Sequence, residues 1–196
     1  MNTVDQGTTC FGKAGNEIGM AVLKLLEKYE KPMNKTRIHK TFFIMTKDMT
    51  RLAPDFDFKP DDYGPFSQVL ESTLRGLKND GLVYYNEKSK YAKPVSLETE
   101  GKIVCDEEGN KLDKEIIERF PDYIEIFEGL EHDEMLAFVD SMFPEMAVNS
   151  KKFKNEIEPH LQTFIVNLIN KEKITVGRGA QLLKIPYSEM KDHLRE

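Results

Sequence analysis

The sequence predicts a mainly α-helical protein carrying one small β-hairpin. Three observations predict it: apolar residues recur at helical spacing through most of the chain, two β-prone runs flank a single polar turn, and Gly and Pro punctuate the periodic stretches. With 196 residues and 39% hydrophobic content, the chain is long enough for one ordinary domain plus a small one, or for two small units sharing a core.

The first 16 residues are polar and carry no apolar period, and read as a leader that buries nothing. From Glu17 onward, Ile18, Ala21, Val22, Leu25 and Leu26 form one helical face, which stops at Pro32. Asn34 is placed to cap a second helix with Ile38, Phe42 and Met45 on one face and Lys35, Arg37 and Lys40 on the other. The stretch Arg51 to Lys59 has no period and reads as a loop or a short bent helix. Gly64 and Pro65 break whatever precedes them, and Pro65 suits the first turn of a third helix running to Lys78. Phe66, Val69, Leu70, Thr73, Leu74 and Leu77 supply its apolar stripe, and Asn79-Asp80-Gly81 its stop. The runs Leu82–Tyr85 and Tyr91–Leu97 then enclose the polar Asn86–Lys90 as a hairpin. Three helices followed by a hairpin is the order of a winged helix.

Beyond the hairpin, Ser96–Lys102 opens a helical turn, and helices are expected around Lys114–Phe120, Tyr123–Leu130 and Glu134–Phe143, separated by Pro121 and Pro144. After the polar joint Asn149–Lys152, the residues Ile157, Leu161, Phe164, Ile165, Leu168 and Ile169 describe an amphipathic helix that serves as a linker or a dimer face, or packs on its own chain. In the last unit Thr175 caps a short helix, small Ala180 permits a close crossing, and Leu183 and Ile185 plug the core. Ile185-Pro186 then turns the chain into a helix at Tyr187–Leu194, the arrangement of a helix-turn-helix. The expected organisation is a leader at 1–16, a winged-helix domain at 17–104, an acidic helical segment at 105–149, and a helical linker with a helix-turn-helix at 150–196.

The net charge of −6 conceals a partition. Residues 17–104 hold 15 Lys+Arg against 13 Asp+Glu, residues 105–149 hold 3 against 14, and residues 150–196 hold 9 against 6. The acidity is concentrated in the middle segment, which leaves both flanking units free to meet a polyanion. The winged-helix reading offers Gln68, Ser72, Arg75 and Lys78 of the third helix to a DNA groove, with Lys88, Lys90 and Lys93 of the wing reaching phosphates. Lys35, Arg37 and Lys40 on the second helix join this set, while Glu71 works against it. Ser188, Lys191 and Arg195, mixed with Glu189 and Asp192, are the candidates on the final helix, and they fit a protein contact as readily as DNA. Each of these residues is also what an ordinary solvated surface shows.

Catalytic constellations are missing from the sequence. His39, His132, His160 and His193 are scattered without metal-ligand spacing, and no phosphate-binding loop or nucleophile elbow is present, so the chain is read as a non-enzyme with no cofactor. The two cysteines, Cys10 and Cys105, are far apart and suit a reducing cytoplasm, a bridge between them being the alternative. No apolar run has the length of a membrane span, so the expected partners are double-stranded DNA or a protein, with a homodimer as the assembly and no membrane contact.

The segments Asn34-Lys35-Thr36-Arg37-Ile38-His39-Lys40-Thr41-Phe42-Phe43, Asp62-Tyr63-Gly64-Pro65-Phe66-Ser67 and Leu74-Arg75-Gly76-Leu77-Lys78-Asn79-Asp80-Gly81-Leu82-Val83 resemble, in this order, the YwgA-like and Panacea (SocA-like) group of prokaryotic proteins. The resemblance covers roughly Ile18 to Lys102 and implies a winged-helix-like domain found in stand-alone and antitoxin-like proteins, without implying an enzyme. Ile174-Thr175, Gly177, Ala180, Leu183, Ile185 and Tyr187 resemble a second group, the small prokaryotic helix-turn-helix proteins of antitoxin type. Gly179 stands where that group usually has Ala, and Lys184 where it has the turn Gly. The functional expectation is a DNA-binding transcriptional regulator, the alternative an antitoxin-like or adaptor protein that uses the same scaffold to bind another protein.

Overall fold

The apolar stripe that opens the chain is buried along its whole length. In the computed structural model, which describes residues 13–88 and 94–195, Ile18, Ala21, Val22, Leu25 and Leu26 face the interior from helix α1 (Lys13–Tyr29). The helix ends where Glu30 takes a left-handed φ of 59° and its N–H returns to the Leu26 carbonyl. A two-residue strand β1 (Met33–Asn34) follows and leads directly into α2 (Lys35–Asp48). Asn34 stands at the N-cap of α2, but its side chain makes no cap hydrogen bond; its backbone is held in the sheet opposite Pro94.

After α2 the chain makes a 3₁₀ turn (Thr50–Leu52) and the single-turn α3 (Ala53–Phe56), so the aperiodic stretch is in part a bent helix. It continues into an unexpected hairpin, β2 (Lys59–Asp61) with β3 (Gly64–Phe66). Pro65 therefore lies in a strand and not in a helical first turn. Helix α4 (Gln68–Asn79) starts three residues later because the Ser67 side chain accepts the Leu70 N–H at 3.0 Å. Leu70, Leu74 and Leu77 are buried, whereas Val69 points to solvent. Gly81, at φ 73°, closes α4 with a Schellman pair: its own N–H returns to Lys78 and that of Leu82 to Leu77.

The two expected strands of the second hairpin pair, each shorter than expected, while residues 89–93, with the end of the turn and Tyr91 to Lys93 of the expected second strand, lie outside the described residues. Strand β4 (Val83–Tyr84) pairs antiparallel with β5 (Pro94–Leu97), which also pairs with β1, giving the order β1-β5-β4. The molecule is thus mainly helical with a small antiparallel sheet.

Helices α5 (Thr99–Glu108) and α6 (Lys114–Phe127) pack on α1 and α2. Pro121 does not divide α6: a single helix runs through it, with Ile116 and Phe120 buried before it and Tyr123 and Phe127 after it. Helix α7 (His132–Met142), begun by a Glu131/Glu134 capping box, and the single-turn α8 (Pro144–Ala147) lead to the second half. The expected long amphipathic helix is interrupted. A π-type turn (Phe153–Ile157) and a 3₁₀ turn (Glu158–His160) precede α9 (Leu161–Asn170), because Pro159 offers no N–H to an α-helical ladder. Helices α10 (Val176–Leu183), capped by Thr175, and α11 (Tyr187–His193) complete the chain. Among the described residues no helix is long and apolar enough to cross a membrane.

Two hydrophobic clusters organise these elements. The first gathers α1, α2, α4 and the sheet and takes in Cys105, Leu112, Ile116, Phe120 and Tyr123. The second joins Phe43 and Phe127 to α7, α9, α10 and Met190 of α11. Packing therefore does not break between residues 104 and 105, and the acidic segment 105–149 is shared between the two clusters.

Candidate functional site

The residues that carry the first family resemblance meet in space. Lys40 on α2 is 1% exposed, and its ammonium donates to the carbonyls of Tyr63 and, at 3.1 Å, Pro65, tying α2 to the β2–β3 hairpin. Burial lowers the pKa of this lysine to about 8, against the opposing pull of Asp140 and Asp61. His39, beside it, stacks on Phe66 with ring centres 4.6 Å apart, and its Nδ1 accepts the Ser67 N–H at 3.3 Å. The ring proton of the neutral imidazole is then on Nε2, which lies 3.8 Å from Glu71 and has no hydrogen-bond partner. Burial lowers the His39 pKa, with Glu71 opposing.

Glu71 receives Lys35 at 2.7 Å, and the Lys35 ammonium also sits 3.9 Å above the Tyr85 ring. Burial raises the Glu71 carboxyl, but Lys35 and His39 together bring it down to about 2. These groups, with Thr36, Asp61, Tyr63 and Gly64, line an open cleft of ≈ 340 Å³ between α2, the β2–β3 hairpin and α4.

The expected basic face of α2 is consequently not a face. Lys40 is inside, and Arg37 donates to the carbonyls of Phe127 (2.7 Å) and Leu130 (2.8 Å) where α6 ends. The Phe127 carbonyl also accepts the Leu130 N–H in the turn that closes α6, and the guanidinium fork bridges this turn and pins it to α2. Lys35 is held by Glu71. All three residues act within the fold in this structure.

The outer side of α4 is different. Gln68, Ser72 and Arg75 are exposed, and among the described residues Arg75 forms no ion pair. Lys78 is engaged, 2.9 Å from Glu87 and over the Tyr85 ring. Lys88 is exposed at the start of the hairpin turn, and Lys90 and Lys93 lie outside the described residues. In the C-terminal unit Ser188, Lys191 and Arg195 are all exposed, Lys191 against the Tyr187 ring and Arg195 paired with Asp192 at 3.2 Å. The structure does not bring this set together with the α4 set on any shared element.

Sequence reasoning missed Asp140. This α7 residue is 1% exposed, abuts Gly64, and has no hydrogen-bond partner on either carboxylate oxygen. Its signal was available as a lone carboxylate closing the apolar run Met135-Leu136-Ala137-Phe138-Val139. Cys105 is also buried, which raises its thiol pKa to about 11, and Cys10 lies outside the described residues. Among the described residues no group of three or more His, Cys, Asp and Glu side chains is arranged to hold a metal ion. The constellation is a buried polar brace with a cleft beside it and an open helix face next to it. No family model matches the chain, and no curated protein does.

Proposed function

We propose that this chain is a non-enzymatic recognition module, with a winged-helix-type N-terminal unit and a C-terminal helix-turn-helix, whose partner is another protein. The element order and the sheet order β1-β5-β4 support the winged-helix reading, as do the resemblances of the two units to antitoxin-like groups. One observation carries the choice of partner: of the basic residues that the winged-helix reading offers to DNA, Lys35, Arg37, Lys40 and Lys78 are engaged by groups of the fold itself. Residues 17–104 exceed neutrality by only two charges, 15 against 13, and two of those cations, Arg37 and Lys40, are committed to backbone carbonyls. With Lys35 and Lys78 held by Glu71 and Glu87, Arg75 and Lys88 are the cations of the candidate set in this unit that stand exposed among the described residues to displace counterions from a phosphate backbone. A mixed surface that also exposes Tyr63, Val69 and Tyr84 suits a protein contact.

A specific observation favours DNA as the second reading. Helices α5 and α6 pack on α1 and α2, and Gln68, Ser72 and Arg75 remain open on α4. Titration of a duplex carrying the gene's own upstream region, at low and moderate salt, separates the two readings. The protein reading expects no binding at low salt. Salt-dependent binding that falls in the R75A/K78A/K88A variant overturns it in favour of α4 as a DNA reader, and binding that survives those changes assigns DNA to the C-terminal unit.

A further inference from the structure

The β2–β3 hairpin is held from both halves of the molecule. Lys40 of α2 donates to its Tyr63 and Pro65 carbonyls from one side. From the other, Asn149 donates to Pro60 (3.3 Å), Ser150 to Asp62 (3.2 Å), and Lys151 pairs with the Asp62 carboxylate (3.3 Å). Between these anchors Gly64 lies against Asp140 so closely that any Cβ there would collide with the carboxylate. Every anchor is satisfied by a partner except Asp140.

The charges on the elements packed around α7 do not relieve it. Lys154 of the π-type turn donates to Val148, Glu156 and Asp133 share Lys152, and Glu145 of α8 pairs with Lys47. Helix α9 carries no charged residue. On the hairpin, Asp61 adds a second negative charge, and Asp62 is taken by Lys151. Lys40 is the cation that acts on Asp140, but it is committed to the hairpin carbonyls and forms no ion pair with the carboxylate. Ser150 has one hydroxyl hydrogen, which either serves the Asp62 carbonyl at 3.2 Å or offsets part of the burial cost of the Asp140 carboxylate, and it cannot do both at once.

We propose that the seam between α7 and the β2–β3 hairpin is a protonation-controlled clasp, in which a neutral Asp140 seated on Gly64 holds the two halves together and an ionised one loosens them. Burial raises the Asp140 carboxyl from 3.8 to about 6, so its contribution to stability is present below the unfolded value and is lost as pH rises through 6. Lys40 works in the opposite sense: its pKa falls from 10.5 to about 8, so the cost of its burial is present below 8 and is relieved as pH rises toward 10.5. Both ions are buried together between about pH 6 and about pH 8, and the clasp is weakest there.

Hydrogen exchange of the full chain at about pH 5 and about pH 7.5, corrected for the intrinsic pH dependence of amide exchange, tests this. Opening of residues 59–66 and of α7 is expected to increase roughly tenfold or more at the higher pH, while α1 and α4 stay protected. In D140N, which keeps the shape and removes the charge, the dependence is expected to vanish. Equal protection at the two pH values, an unchanged pH profile in D140N, or failure of D140N to fold would each overturn the clasp, since a neutral side chain is what the seam is held to prefer.

Discussion

Lys40, Arg37 and Asp140 show how buried charge is used here. Lys40 and Arg37 spend their hydrogen bonds on backbone carbonyls, two on the β2–β3 hairpin and two in the turn that closes α6. Removing Lys40 leaves both hairpin carbonyls unpaired and Asp140 without its nearby positive charge. Lys40→Met is therefore expected to cost about 3–5 kcal/mol in urea unfolding at neutral pH. The K40M/D140N double variant is expected to lose clearly less than K40M, because the uncompensated carboxylate has gone with its cation. Equal losses for the two proteins would show that Asp140 does not sense Lys40. Any DNA-binding defect in a Lys40 variant would be a defect of folding.

At the level of elements, the sequence was legible wherever apolar period and local stop signals agreed. Helices α1, α2 and α4, the β4–β5 pairing and the α10–α11 turn lie over the periodic stretches and stops at Ile18 to Leu26, Leu70 to Leu77, Gly81 and Thr175, but α1 begins at Lys13, inside the expected leader, because a helix runs on past its last buried residue, and α4 begins three residues after Pro65. It was illegible where a residue's local preference was overruled by distant contacts. Pro65 signals a helix start, yet it is drawn into a strand because Lys40, far along the chain, holds its carbonyl. Pro121 signals a break, but Phe120 and Tyr123 are both buried in the first core and keep α6 continuous across it. The site was legible as a motif and not as a role: Arg37 and Lys40 read as an exposed basic face because nothing local reveals the carbonyls they meet. The α10–α11 turn offers a direct test of local geometry. Lys184 adopts φ 58°, and the N–H of Ile185 returns to Ala180, a left-handed closure that glycine adopts without steric cost. Lys184→Gly is expected to stabilise the protein by about 1 kcal/mol, read as a raised urea midpoint with an unchanged slope. A lowered midpoint would mean that the lysine side chain contributes more than its backbone costs. Gly179 has the reverse requirement, since a Cβ there would come within 2.6 Å of Ile169 on α9.

Over the whole molecule, the two clusters divide the chain differently from its charge. The acidic segment belongs to both, with Ile116 and Phe120 in the first and Leu136 and Val139 in the second. A fragment of residues 17–104 would lack Cys105, Leu112, Ile116, Phe120 and Tyr123 from its core, and is expected to be a loosely packed species that binds a hydrophobic dye and gives no sharp thermal transition. A fragment extended to residue 130 is expected to melt cooperatively. Sharp melting of the shorter piece would show that α5 and α6 are ornaments on an independent domain. The pairing of Met33 with Val95 has a further consequence, for the order of assembly. Strand β1 meets β5 only after roughly sixty residues of intervening chain have been gathered in, and the entropy of closing that loop is lost before the sheet returns any of it. The helices are local and quick to form, but the step that joins β1 to β5 waits on the placement of everything between them. This chain should therefore fold more slowly than its helix content alone implies.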